Sequence, residues 1–229
     1  MKEHNNILFL FQSLESLVTM DLSECENLTE IPDLSKATKL DSLILNNCKS
    51  LVMLPSTIGN LQKLVMLEMK ECTGLEVLPI DVNLSSLLIV NLKGCSRLSF
   101  FPQISCSSER LNLKYTAIEE VPCCIENFPR LTVLRMRGCK RVSRSPQISS
   151  SIKKLDLDDT DLDEQVLCYV ENLSRLTVLK IRGFKKLRNI SQDIFRLTSL
   201  HQVDYIISVD LDSVWVYLID LPNINHCYK

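Results

Sequence analysis

The chain has 229 residues, of which 45% are hydrophobic and 24% charged, a composition that can bury a substantial core and is unlike that of a disordered segment. Its formal net charge of −2 and pI near 6.0 give it no bulk attraction to DNA, RNA or an anionic membrane. No nucleic-acid partner is therefore expected, and any charge-led binding must be local.

Residues 1–16 read as an incomplete N-terminal repeat or flank. Their apolar run, Ile7 to Phe11, falls short of a signal peptide's apolar core and precedes no cleavage-like site. No later stretch approaches the roughly 18 unbroken apolar residues of a membrane span. The expectation is an unsecreted chain without a membrane span, cytoplasmic or nuclear.

From Leu17 onward a unit L-x-x-L-x-L-x-x-C recurs. It is clearest at Leu17, Met20, Leu22, Cys25, then Leu40, Leu43, Leu45, Cys48, then Leu64, Leu67, Met69, Cys72, then Leu87, Val90, Leu92, Cys95. Weaker copies start at Ser108, Leu131, Ile152, Leu176 and Leu200, which makes nine copies spaced 21 to 24 residues apart over residues 17–208. That period lies in the leucine-rich-repeat range. Apolar residues at the fourth and sixth positions alternate with polar ones, which is the signature of a strand with one buried face. The expected fold is an α/β leucine-rich-repeat solenoid: a parallel sheet on the concave face, loops and short helical turns on the convex face, and a core made continuous by stacking.

Apolar-Pro pairs such as Leu54-Pro55 and Leu78-Pro79 end the descending loops, where a missing N–H costs little. Residues 56–64 and 124–131 read as helical turns, and the stretches beginning at Gln103 and Gln147 as extended. Residues 209–229 fit no repeat and form a C-terminal flank. Neither end offers a polar cap, since Ile7 to Phe11 and Trp215 to Leu218 are apolar; an uncapped stack tends to associate.

The ten cysteines follow the repeat rather than a disulfide or zinc pattern. Cys25, Cys48, Cys72, Cys95 and Cys139 occupy the ninth position, and Thr116, Thr160, Phe184 and Ser208 replace cysteine elsewhere. A small, weakly polar side chain there can be buried beside loop backbone, so these thiols are expected to be free and buried. Cys123 and Cys124 lack C-x-x-C spacing, so no metal is expected.

The sequence has no phosphate loop, no G-x-G-x-x-G, no H-E-x-x-H and no G-x-S-x-G. It implies neither a catalytic centre nor a cofactor. The acidic run from Asp156 to Glu164 lacks the glycine and final glutamate of a calcium loop and reads as a solvated face. The N-x-S/T triplets at Asn27, Asn83, Asn172 and Asn189 matter only in a secreted chain.

Strand alternation places the fifth and seventh positions outward on the concave face. The candidate partner-binding residues there are Lys93, Lys114, Arg135, Arg137, Asp156, Asp158, Lys180 and Arg182, joined by Arg110. The stretch from Lys93 to Arg137 is basic, which suits an acidic partner and supplies steering and register more than affinity.

The segments Leu28 to Thr38, Leu54-Pro-Ser-Thr-Ile-Gly-Asn-Leu61 and Thr116-Ala-Ile-Glu-Glu-Val-Pro122 resemble the repeat domain of plant intracellular immune receptors. More narrowly, they resemble the class that joins a Toll/interleukin-receptor-like domain, a nucleotide-binding domain and leucine-rich repeats. The resemblance covers about Leu17 to Leu200. It implies a non-enzymatic recognition and autoinhibitory module. The implied partners are a pathogen effector, a guarded host protein and the parent receptor's nucleotide-binding domain. The chain lacks the two upstream domains and reads as a fragment or truncated product. Its end, Ile224 to Lys229, weakly resembles the start of the domain that follows the repeats. The alternative is a general intracellular leucine-rich-repeat scaffold.

Overall fold

A computed structural model describes residues 14–79, 83–101, 105–119, 125, 128–142, 148–162, 165–183, 194, 197–205 and 217–218. The strands are β1 (Thr19–Asp21), β2 (Ser42–Ile44), β3 (Met66–Glu68), β4 (Asn83–Leu84), β5 (Ile89–Asn91), β6 (Ser105–Cys106), β7 (Arg110–Asn112), β8 (Val133–Arg135), β9 (Lys154–Asp156), β10 (Val178–Ile181), β11 (Gln202–Tyr205) and β12 (Tyr217–Leu218). Ten of them form one sheet in the order β1-β2-β3-β5-β7-β8-β9-β10-β11-β12, and β4 and β6 form a second small ladder.

Every neighbouring pair in the main sheet is parallel except the last, where β12 runs antiparallel to β11. The register is that of the repeat. Fourth-position residues face one another from Met20 through Leu43, Leu67, Val90, Leu111, Leu134, Leu155 and Leu179 to Val203. These residues and the sixth-position Leu45, Met69, Leu92, Leu113, Met136, Leu157 and Ile181 are buried, because a strand sends alternate side chains to one face. The expected parallel solenoid is thus the observed one. The side opposite the sheet holds the short 3-10 helix Ser56–Asn60 and the α-helix Gln165–Val170.

The ninth position explains the cysteines. The sixth-position carbonyl turns inward and needs a buried donor. Cys72 Sγ donates to Leu45 O at 2.9 Å, Cys95 to Met69 O at 3.0 Å, and Cys139 to Leu113 O at 2.9 Å, each one repeat back. Threonine serves the same end within its own repeat, with Thr116 donating to Leu113 O and Thr160 to Leu157 O, both at 2.8 Å. Cys48, Cys72, Cys95 and Cys139 are free and buried, but Cys25 is exposed. The expectation fails at Cys25, which lies on the rung of β1, the first strand of the sheet among the described residues, where no described strand precedes it to supply a carbonyl and cover it. Phe184 and Ser208 lie outside the described residues, as do the apolar run Ile7 to Phe11 and residues 124, 126 and 127 of the turn expected over 124–131. At the other end, the β12 backbone pairs along the β11 edge.

The eighth position carries a constraint that leucine spacing does not announce. Glu24, Asn47, Glu71, Gly94, Tyr115, Gly138, Asp159 and Gly183 all have φ between 55° and 79°. This left-handed step carries the ladder past the strand: the eighth-position N–H donates to the seventh-position carbonyl of the next rung, as from Glu71 to Lys93 at 2.7 Å and from Tyr115 to Arg137 at 2.9 Å.

Candidate functional site

The open sheet face presents the third, fifth and seventh positions of each rung. Several of its polar residues have structural work to do. The seventh-position N–H lies just beyond the strand and takes a side-chain acceptor. Asp21 Oδ1 accepts from Ser23 N at 2.9 Å, Asn91 from Lys93 and Asn112 from Lys114 at 3.3 Å, and Asp156 from Asp158 at 3.4 Å. Where the fifth position is Glu68 or Lys180, the preceding rung supplies the acceptor: Asn46 Oδ1 for Lys70 N at 2.9 Å and Asp158 Oδ1 for Arg182 N at 2.8 Å.

Ion pairs then consume most of the charges expected to form a continuous basic stretch. Lys93 meets Glu71 at 3.4 Å and Lys180 meets Asp204 at 3.0 Å. Arg137 Nε lies 3.3 Å from Asp159 Oδ2, yet that nitrogen is buried without a hydrogen bond of good geometry. Lys114 Nζ reaches Asp156 Oδ2 at 2.5 Å, passing over the intervening β8 rung. Asp158, 1% exposed, accepts from Arg182 Nη2 at 2.6 Å and Nε at 3.0 Å. That hydrogen bond raises the Arg182 pKa against the opposing effect of burial. The reading of Asp156 and Asp158 as a solvated face is therefore corrected: both are buried, because long cations from other rungs fold over them and compensate their loss of water.

Two of the candidate cations stand apart. Arg110 on β7 and Arg135 on β8 are exposed and have no ion pair or side-chain hydrogen bond among the described residues. Arg135 sits directly opposite Asp156 in the ladder, but Lys114 already holds that carboxylate.

Lys154, at the third position of its repeat on β9, is a further exposed cation without an ion pair among the described residues. Val133 lies level with both Arg110 and Lys154 and is half-buried between them. Reading the outward alternation one step earlier, at the third position, reveals these two residues in the sequence. Tyr115, 45% exposed at the eighth position, also borders this face. No group of three or more His, Cys, Asp or Glu among the described residues is arranged to hold a metal ion, and no described helix is long and apolar enough to cross a membrane.

No family model matches the sequence. Among curated proteins of Arabidopsis thaliana, the disease resistance protein RPP5 is 72% identical over 101 residues, which cover 44% of this chain and 7% of that protein. The protein SUPPRESSOR OF npr1-1, CONSTITUTIVE 1 is 58% identical over 138 residues, covering 52% and 10%. The disease resistance protein RPP4 is 62% identical over 128 residues, covering 56% and 11%. The chain spans about a tenth of the length of these relatives. Among solved structures, the leucine-rich repeat domain of the type III effector XopL matches with a TM-score of 0.61 at 18% identity, over 88% of this chain and 81% of that one. An internalin C2 from Listeria monocytogenes matches at 0.56 and 17% identity, over 84% and 82%. The structural likeness speaks to the leucine-rich-repeat fold; the sequence likeness is to plant disease resistance proteins.

Proposed function

We propose that this leucine-rich-repeat chain, similar in sequence to plant disease resistance proteins, is a non-enzymatic recognition module of an intracellular immune receptor. Its open sheet face binds an acidic protein surface. That surface belongs to a pathogen protein or guarded host protein during perception, and to the receptor's own nucleotide-binding domain at rest. The supporting observation is that a chain of net charge −2 leaves Arg110, Arg135 and Lys154 exposed, and unpaired among the described residues, on three successive strands. Like charges on neighbouring strands oppose folding, so the cluster gains nothing for the fold itself. Exposed charges of one sign chiefly accelerate encounter with the opposite sign and fix its register.

The test places Arg110→Glu and Arg135→Glu together in a receptor that carries this segment. The expected result is loss of the pathogen-dependent response, release of the resting state, or both, with the repeat segment's circular dichroism unchanged. A variant that rests and responds as the parent does refutes the proposal.

A further inference from the structure

Two residues on adjacent rungs break local rules that other rungs keep. At the eighth position, left-handed backbone favours glycine or a short polar residue. Tyr115 stands there at φ 58°, a conformation costly for a bulky side chain. Its ring lies across the α-carbon of Gly138, where a Cβ would come within 2.4 Å of the ring's Cδ1, and it remains 45% exposed. The ring fills no core, and its hydroxyl has no partner among the described residues.

At the fifth position, Arg135 cannot accept a hydrogen bond, and neither can Lys114 on the rung before. Among the described residues the Arg137 N–H accordingly has no acceptor. Ile44 is another fifth-position residue of this kind, but it is half-buried, whereas Arg135 is exposed. Local violations with no return to the fold are expected where a surface is kept for binding. Arg110 and Lys154 flank Val133 in the ladder, and Arg135 follows it by two residues on the same face. Three cations therefore surround an apolar spot, with Arg110 and Lys154 directly beside Val133 and Arg135 diagonal to both at about 7–8 Å.

We infer that the face of β7 to β9 binds one extended acidic segment of a partner protein, laid along the strands. Its carboxylates meet Arg110, Arg135 and Lys154, an apolar side chain covers Val133, and its far end packs on Tyr115. The third and eighth positions are five residues apart, at most about 16 Å at roughly 3.3 Å per extended residue, so the segment is no longer than about five or six residues. Charge complementarity selects this occupant, and the separation of the cations suits several carboxylates rather than one compact anion. The inference deepens the recognition reading above and rests on it.

The probe is a displayed library of random heptapeptides, panned on the chain, on the triple variant Arg110→Glu, Arg135→Glu, Lys154→Glu, and on Tyr115→Gly, each checked by circular dichroism. The chain is expected to enrich peptides with Asp or Glu beside an apolar residue, and the triple variant to lose that bias. Tyr115→Gly places the favoured residue at a left-handed position, so it should melt no lower than the parent while binding the selected peptides at least about five-fold more weakly. A selection without acidic bias, no selection at all, equal recovery on the triple variant, or unchanged peptide affinity in Tyr115→Gly overturns the inference. Single-stranded oligonucleotide binding that the triple variant loses also overturns it, in favour of a nucleic-acid ligand. Peptides without acidic bias that still block the receptor's response would sink the acidic segment and leave the recognition reading standing.

Discussion

Asp158 and Asp159 are adjacent in sequence and differ in circumstance, so the same substitution at each separates a buried carboxylate from a half-exposed one. Asp158 is 1% exposed and accepts from the Arg182 guanidinium at 2.6 and 3.0 Å and from the Arg182 N–H at 2.8 Å. In Asp158→Asn, one oxygen can still take the N–H, but an amide NH2 then faces the guanidinium and the charge-assisted bonds are lost. Removing one partner of a fully buried pair costs about 3–5 kcal/mol. The Arg182 side chain is 35% exposed and can turn toward water, so the expected loss is smaller, about 2–3 kcal/mol. Asp159 meets Arg137 at 3.3 Å with side-chain exposures of 46% and 38%, and Asp159→Asn, which keeps a residue tolerant of left-handed backbone, should cost less than about 0.5 kcal/mol. Urea unfolding followed by circular dichroism measures both. The slopes must be compared as well as the midpoints, since a solenoid can lose two-state behaviour. An Asp158→Asn loss no larger than that of Asp159→Asn would refute the assignment of Asp158 as the anchor of this rung.

Alkylation of the native protein, read by mass spectrometry, should be slow at Cys48, Cys72, Cys95 and Cys139 and fast at the exposed Cys25 and Cys168; equal rates at all six would refute the buried ladder. Burial pushes the Cys48 thiol up to about 12 and pushes Cys139 up, whereas in the interacting Cys72–Cys95 pair Cys95 is pushed up and Cys72 down, so their effects oppose one another. A folded-state value above the unfolded one, about 8.5, gives stability that is complete below the unfolded value and is lost as pH rises through the folded one. The urea midpoint should therefore fall between about pH 8.5 and 12, by less in Cys139→Thr, and a midpoint flat across that window contradicts the reasoning. In Gly138→Ala the new Cβ meets the Tyr115 ring at 2.4 Å on backbone with φ 74°, so a loss of about 1–3 kcal/mol is expected. Tyr115→Gly in the same chain should recover part of it, and a Gly138→Ala protein as stable as the parent would show that the ring does not rest there.

Much of the fold was legible because the repeat repeats. The apolar fourth and sixth positions read correctly as a buried strand face, and the ninth-position cysteines read as structural because threonine alternates with them. The left-handed eighth position went unread, although Gly94, Gly138 and Gly183 share that register, because Glu24, Asn47, Glu71, Tyr115 and Asp159 hide the pattern. The helix Gln165–Val170 was also missed: its buried Val166 and Val170 are four apart, but they sit behind an acidic run and are β-branched, both weak helix signals.

The face was less legible than the core. Position in a repeat tells which way a side chain starts, and not what it reaches. Lys114 crosses a whole rung to Asp156, and Arg182 folds back over Asp158, so a tally of outward charges overstated the basic stretch. Cys25 shows the complementary error, in which the position was assigned correctly but no neighbouring strand among the described residues buries the side chain.

The way backbone donors are shared between rungs explains how a solenoid keeps one fold while varying its exposed face. The fourth, sixth and ninth positions are committed to the core and its buried carbonyls, whereas the seventh-position N–H can be served from either of two places. Asn91 and Asn112 serve it from their own rungs; Asn46 and Asp158 serve it from the preceding one. Each acceptor supplied from behind releases the next fifth position from its structural duty, which is how Glu68 and Lys180 can be accommodated without an orphaned donor. Arg135 goes further, since neither route operates on its rung. An N–H that water can reach costs far less unpaired than a buried orphan. The exposed guanidinium of Arg135 stands two residues before that donor, so an incoming carboxylate at this rung would meet a cation that no side chain among the described residues already holds.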